Sequence, residues 1–262
     1  MPAGSRVTRI IFRSAFALAF TAAATFGRAE NRWPAEQQAG PLLCHANFPL
    51  DSYQPFLAEL ADLQHDLTAQ LGMPPPRERA HLFLFQTQAT YQAYLKQYFP
   101  RVPYRRALFI KARGPGMVFA YQGDDFEIDV RHECTHALLN AWLPELPLWL
   151  DEGLAEYFEI ARDGRQKQNP HLPVIRTMIR EGQMPRLPEL ETLDQVSEMG
   201  KHEYRDAWAW AHFMLEGPDE ARSVLRLYLA DLADDSEPGR LSDRLRQNLP
   251  HLNRRLAEHF LP

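Results

Sequence analysis

The chain has 262 residues, 45% of them hydrophobic and 24% charged, which is enough apolar side chain for a real core in one large domain or two small ones. The net charge is −5 and no long basic run occurs, which argues against nucleic acid as a partner. The basic cluster Arg101, Arg105, Arg106, Lys111 and Arg113 reads as a solvated rim, with substrate steering as the alternative.

Arg6, Arg9 and Arg13 form a basic leader ahead of the apolar run Ser14 to Phe26, and Gly27-Arg28-Ala29 offers small residues at a cleavage site. That pattern predicts a secretory signal peptide over 1–29 and a mature chain from about Glu30. The run is shorter than the ~20 apolar residues a spanning helix needs. No later segment is apolar enough to span, so no membrane span is expected in the mature chain. The expected destination is the periplasm or the medium. No Leu-x-x-Cys lipobox lies at the cleavage region.

Residues 30–41 are polar with two prolines and read as a linker. Leu42 to Phe48 reads as a short strand. Asp51 is a candidate N-cap for a helix with Tyr53, Phe56, Leu57, Leu60, Leu63, Leu67 and Leu71 at three-to-four spacing. Gly72 and the Pro74–Pro76 run stop it. The apolar run His81 to Phe85 predicts a buried strand, and His65 and His81 read as structural. Thr90 to Phe99 predicts a second helix. Leu108 to Ile110 and Met117 to Tyr121 predict strands either side of the Gly114-Pro115-Gly116 turn.

The chemistry lies in Val130-Arg131-His132-Glu133-Cys134-Thr135-His136, with a helix expected to begin at about Asp129 and to end before Pro144 and Pro147. On a helix, positions i and i+4 share one face, so His132 and His136 can point at one ion and Glu133 can reach the same space. This is the HExxH arrangement of a zinc hydrolase: two imidazole ligands and a carboxylate that takes a proton from the attacking water. A catalytic zinc takes a third protein ligand and keeps a position open. In Leu148-Trp149-Leu150-Asp151-Glu152-Gly153-Leu154-Ala155-Glu156-Tyr157-Phe158, Glu152 is the candidate, with fifteen residues (137–151) between it and His136. That gap allows one helix to end and a second, about Asp151 to Ile160, to face it. Glu156 is one turn further on the same face and suits a supporting role, hydrogen-bonding the far nitrogen of a ligand histidine. Gly153 costs helix propensity, and a close approach of the two helices is a reason to keep it. Cys134 lies roughly 200° around the helix from His132 and so faces away from the ion. With Cys44 it makes either a disulfide, which export would permit, or two buried thiols.

HExxH followed by Trp-Leu-x-Glu-Gly-Leu-Ala-Glu-Tyr-Phe resembles the gluzincin metallopeptidases, in particular the peptidase-MA-like proteins exported by many bacteria. The resemblance is specific from about Phe126 to Phe158. It implies a zincin-like fold, His132, His136 and Glu152 as zinc ligands, Glu133 as general base, and a peptide or protein as substrate. It also implies a hydrogen-bond donor for the oxyanion from the C-terminal helices, best matched by Tyr204, with His202 as the alternative. By the same resemblance an edge strand beside the metal binds substrate backbone by strand addition. Met117–Tyr121 is the candidate, with an ordinary sheet strand as the alternative. The gap before Glu152 is shorter than in the thermolysin-like and aminopeptidase branches, and Glu156 stands where the thermolysin-like branch more often has Asp. No other substrate-binding residue and no oligomeric state can be read from the sequence.

Downstream, helices are predicted at Pro173–Glu181, Pro188–Ser197, Tyr204–Glu216, Pro218–Leu232, Leu241–Leu249 and Leu252–Phe260. The expected fold is α+β, one domain over 42–262. It comprises an N-terminal half with a small mixed sheet and helices, an active-site helix pair, and a helical C-terminal half. The expected function is zinc-dependent peptide hydrolysis in an exported protein. The alternatives are a non-catalytic zinc-binding or scaffold protein of the same fold, and an amidase acting on peptidoglycan stems.

Overall fold

Leu42, Cys44 and Ala46 are buried, while Leu43 and His45 between them are half-buried, the alternation of a strand with one fully covered face. A computed structural model describes residues 10–11, 32–76, 78–112 and 114–261. The signal-peptide reading over 1–29 lies outside the described residues except at Ile10–Ile11, as does Arg113. The fold is α+β. Its strands are β1 (Ile10–Ile11), β2 (Ala35–Ala39), β3 (Leu42–Ala46), β4 (Ala80–Phe85), β5 (Ala107–Lys111) and β6 (Met117–Tyr121), in the order β1-β5-β6-β4-β3-β2. β1 is only two residues long. The helices are α1 (Gln54–Leu71), α2 (Gln88–Tyr98), α3 (Phe126–Trp142), α4 (Leu148–Phe158), α5 (His171–Arg180), α6 (Leu187–Leu190), α7 (Lys201–Glu216), α8 (Asp219–Ala233), α9 (Leu241–Asn248) and α10 (Leu252–Phe260). Among the described residues no helix is long and apolar enough to cross a membrane. The chain divides into two compact units, residues 1–64 with 76–137 and residues 65–75 with 138–262.

In the first unit the sheet is mixed: β3–β4 and β4–β6 pair parallel, β2–β3 and β5–β6 antiparallel. β2 corrects the linker reading of residues 30–41. It pairs with β3 across a Gly40-Pro41 turn, with Gly40 at φ 56°. Its sequence Ala-Glu-Gln-Gln-Ala carries no apolar alternation because an edge strand keeps half its side chains in water. α2 covers one part of the sheet, where Tyr91 and Leu95 pack with Phe85, Leu108, Ile110 and Phe119. Its first turn is capped by Thr87, whose hydroxyl accepts from the Thr90 amide at 3.3 Å. The leucine ladder of α1 is buried as predicted, but Asp51 lies inside a short 3-10 turn, Asp51–Tyr53, that feeds the helix. α3 is tied to α1 by Arg131, which donates to Glu59 at 3.1 Å and lies over the Phe56 ring.

In the second unit α4 and α7 pack backbone to backbone. A Cβ on Gly153 would lie 2.5 Å from the Ala207 carbonyl oxygen. The close approach that keeps this glycine is therefore with α7. The predicted helix Pro188–Ser197 is in fact the single turn α6 and a 3-10 turn, Val196–Glu198. Thr192 donates to the Glu189 carbonyl at 2.7 Å, and Glu198 accepts from the amides of Asp194 and Gln195 at 3.0 and 2.8 Å. These local side-chain bonds compete with the helical ladder. At the C-terminus, Arg176 of α5 donates to the Phe260 carbonyl at 3.0 Å. His212 of α7 meets His259 of α10 nitrogen to nitrogen at 2.8 Å, and its other ring nitrogen lies 3.2 Å from the Gln166 carbonyl.

Burial lowers the pKa of both His212 and His259, and the neighbouring His212 helps bring His259 to about 4. Unfolded histidine titrates near 6.5. Below that pH the unfolded chain takes up protons that the folded pair resists, His259 until about 4. Stability contributed by the pair is therefore full above about 6.5 and lost as the pH falls toward 4. Thermal melts between pH 8 and pH 4 should show a steeper acid fall for the wild type than for His212→Leu/His259→Leu; identical slopes would contradict the assignment.

Candidate metal centre

α3 begins at Phe126, three residues before the predicted start, and carries His132 and His136 one turn apart. Both are buried, at 2% and 0% exposure. Their Nε2 atoms are 3.1 Å apart, with ring centroids at 4.8 Å and planes at 72°. The pair His45 and His81 on β3 and β4 gives a direct contrast. Its nitrogens are closer, 2.9 Å, yet its centroids are further apart, 5.2 Å, and its rings are nearly coplanar at 5°. That pair meets head-on, as an N–H···N hydrogen bond requires. The His132 and His136 rings are instead steeply inclined to each other, and nitrogens this close on one helix turn could both reach one ion.

Glu152 comes from α4. This helix starts at Leu148, directly after the extended Pro147 (φ −52°, ψ 136°), rather than at the predicted Asp151. Glu152 thus lies in the second turn and is fully buried. His132 and His136 belong to the first compact unit and Glu152 to the second, and all three are candidate metal ligands. Glu133, next to His132 on α3, is fully buried as well.

The buried His and Glu side chains could bind a metal ion. Two imidazole nitrogens and one carboxylate are a usual set for a catalytic site with one position left open. Ligands about 2.0–2.1 Å from a tetrahedral zinc lie about 3.3 Å apart, close to the 3.1 Å between the histidine nitrogens.

Other predicted residues are placed as follows. Tyr204 lies in the first turn of α7, 7% exposed, one turn before the Ala207 that meets Gly153. His202 is exposed, with its Nδ1 3.0 Å from an Arg205 nitrogen. Glu156 is 3% exposed, and its Oε2 lies 3.0 Å from Nε2 of His171, a residue the sequence reading passed over. Met117–Tyr121 is not an edge strand: β6 is hydrogen-bonded to β4 on one side and β5 on the other. Strand addition to it is thereby excluded. Of the basic cluster, Arg106 is not a solvated rim residue. It pairs with Asp125 and donates to the buried Asp129 of α3 at 2.8 Å. Burial raises the Asp129 carboxyl pKa against the opposing pull of Arg106 and His132. Cys44 and Cys134 are both free and buried, the second of the two alternatives. Burial pushes the Cys44 thiol up to about 12 and the Cys134 thiol well above its ordinary value.

No family model matches the chain, and no curated protein matches it.

The α4–α7 contact leaves no room for a methyl group, so Gly153→Ala should displace the two helices. The expected loss is about 1–3 kcal/mol of stability, measured by denaturant unfolding. A loss below about 0.5 kcal/mol would mean the backbones part freely. Thiol titration should find two reactive thiols per chain in denaturant and none in the native fold; none in denaturant would reveal a disulfide.

Proposed function

We propose that the chain is an exported zinc-dependent peptidase of the gluzincin type, with a zincin-like fold. The observation that carries this reading is the close approach of the His132 and His136 Nε2 atoms, 3.1 Å apart on one helix turn, with the buried Glu133 adjacent to His132 on the same helix. The resemblance over Phe126–Phe158 supports it independently of the geometry. His132, His136 and Glu152 would hold the ion. Zinc, when bound, supplies an acidified water and polarises the scissile carbonyl.

The chain's own residues do the rest. Glu133 accepts the proton of the attacking water and returns a proton to the leaving amine. Tyr204 donates its hydroxyl to the oxyanion that develops on the carbonyl oxygen. A substrate peptide or protein supplies the amide. The basic leader and apolar run over 1–29 support export.

The chain from Glu30 onward, wild type beside Glu133→Gln, should carry about one zinc each by elemental analysis. Only the wild type should cleave a mixed peptide library. Zinc in both with cleavage in neither would move the reading toward cell-wall stems or a binding role, and zinc in neither would overturn it. Tyr204→Phe should lower kcat by about 10²–10³-fold with zinc content unchanged. Loss of the metal in that variant would make Tyr204 structural.

A further inference from the structure

Within the second unit, α5 stops sharply after Arg180. Gly182, at φ 77°, donates its amide to the Ile179 carbonyl at 3.0 Å, and Gln183 donates to the Met178 carbonyl at 2.9 Å. Pro185 and Pro188 follow and keep the chain from resuming a long helix, so the segment continues as a loop and the single turn α6. Residues of this segment, with residues of α7, α9 and α10, enclose a cavity of about 710 Å³. That volume is within the roughly 300–1,000 Å³ of small-ligand sites.

The wall is rich in donors. Trp210 of α7 lines the cavity at 2% exposure, and its indole N–H is buried with no acceptor among the described residues. A buried donor in that state costs stability until something accepts from it. Arg186 and Arg246 line the same cavity. Each gives one guanidinium nitrogen to an acid three residues away, Glu189 and Asp243, in exposed pairs of a kind that bind weakly. A guanidinium carries five N–H groups, so each keeps most of its donors for an incoming acceptor. Glu189 is the one acid among the described lining residues, and Arg186 already compensates it, so a cationic ligand finds no open counter-charge. Ser242, 1% exposed, gives its amide and its hydroxyl to Glu191 at 2.9 and 2.6 Å, which engages that carboxylate within the wall itself. Met178, Met184 and Leu252 supply the apolar surface, and the two thioether chains can adapt to an irregular shape.

We propose that this cavity binds a carboxylate carried on an apolar body, the chemistry shared by a peptide C-terminus and a free fatty acid. The apolar body lies against Met178, Met184 and Leu252. The carboxylate takes N–H groups from Arg186, Arg246 and Trp210, charge-assisted bonds of the stronger kind. The proposal requires neither zinc nor catalysis, so it stands or falls apart from the metal reading.

Isothermal titration calorimetry tests it on the full chain carrying Glu133→Gln, with acetyl-trileucine, its C-terminal amide, and decanoate as probes. At least one of the two acids should bind, and which of them binds more tightly identifies the source. If the peptide acid binds, the amide should be weaker by about 10-fold or more, the loss of a charged acceptor. Trp210→Phe, which removes the N–H and keeps an aromatic ring, should weaken the acid by about 10-fold or more. Arg246→Gln, at an exposed position, should weaken it about 3–5-fold and reduce the salt dependence of binding. No binding of either acid, equal affinity for peptide acid and amide, or wild-type affinity in either folded variant would overturn the proposal. Arg246→Gln and the amide comparison decide it even where Trp210→Phe fails to fold.

Discussion

The constraint on which everything else depends is the burial of ionisable side chains on one turn of α3 and at Glu152 of α4. His132, Glu133, His136 and Glu152 are each at most 2% exposed. Taking carboxylates out of water costs several kcal/mol per ion unless partners or a cation compensate. Each must therefore be held in place within its own unit. The helical repeat does this on α3, where the two histidines lie one turn apart. On α4 it is done by packing, since the Gly153 backbone rests on the Ala207 carbonyl and leaves the helix no slack. The residue beside Glu152 in sequence is thus one that has no room for a side chain.

Around this centre the fold grades from polar fixing to apolar filling. Arg106 grips Asp129 at the start of α3, and Arg131 reaches Glu59 of α1. Asn169 and His171 grip Glu156. Beyond these the contacts are those of an ordinary core: the leucines of α1, and the aromatic cluster between α2 and the sheet. Polar groups that are buried here are mostly hydrogen-bonded to something that is itself fixed, which makes them a source of specificity rather than of net stability.

Much of this was legible in the sequence where the signal is local. The HExxH spacing, the leucine ladder of α1 and the C-terminal helices all follow from periodicity over a few residues, and the structure places them within a few positions. Readings failed where the deciding partner is remote. β2 lacks apolar alternation, so only its pairing with β3 marks it as a strand. β6 could be read as an edge strand because strand order is set by which chains pair, and the sequence of a strand does not record its neighbours. Gly153 was recognised as a close-approach residue, but the helix it approaches, α7, lies some fifty residues further along the chain. His171 was passed over for the same reason: nothing in His-Leu-Pro announces that its ring meets Glu156. A buried-polar signal would have been available only as an asparagine and a histidine bracketing a proline.

The central claim is that His132, His136 and Glu152 hold one zinc with a position left open. X-ray absorption at the zinc edge on the zinc-loaded chain measures the ligand set directly. The account predicts a first shell of two imidazole nitrogens with oxygen completing it, reduced by one imidazole in His136→Ala. A shell containing sulfur, or one unchanged by that substitution, would place the ion elsewhere and contradict the account.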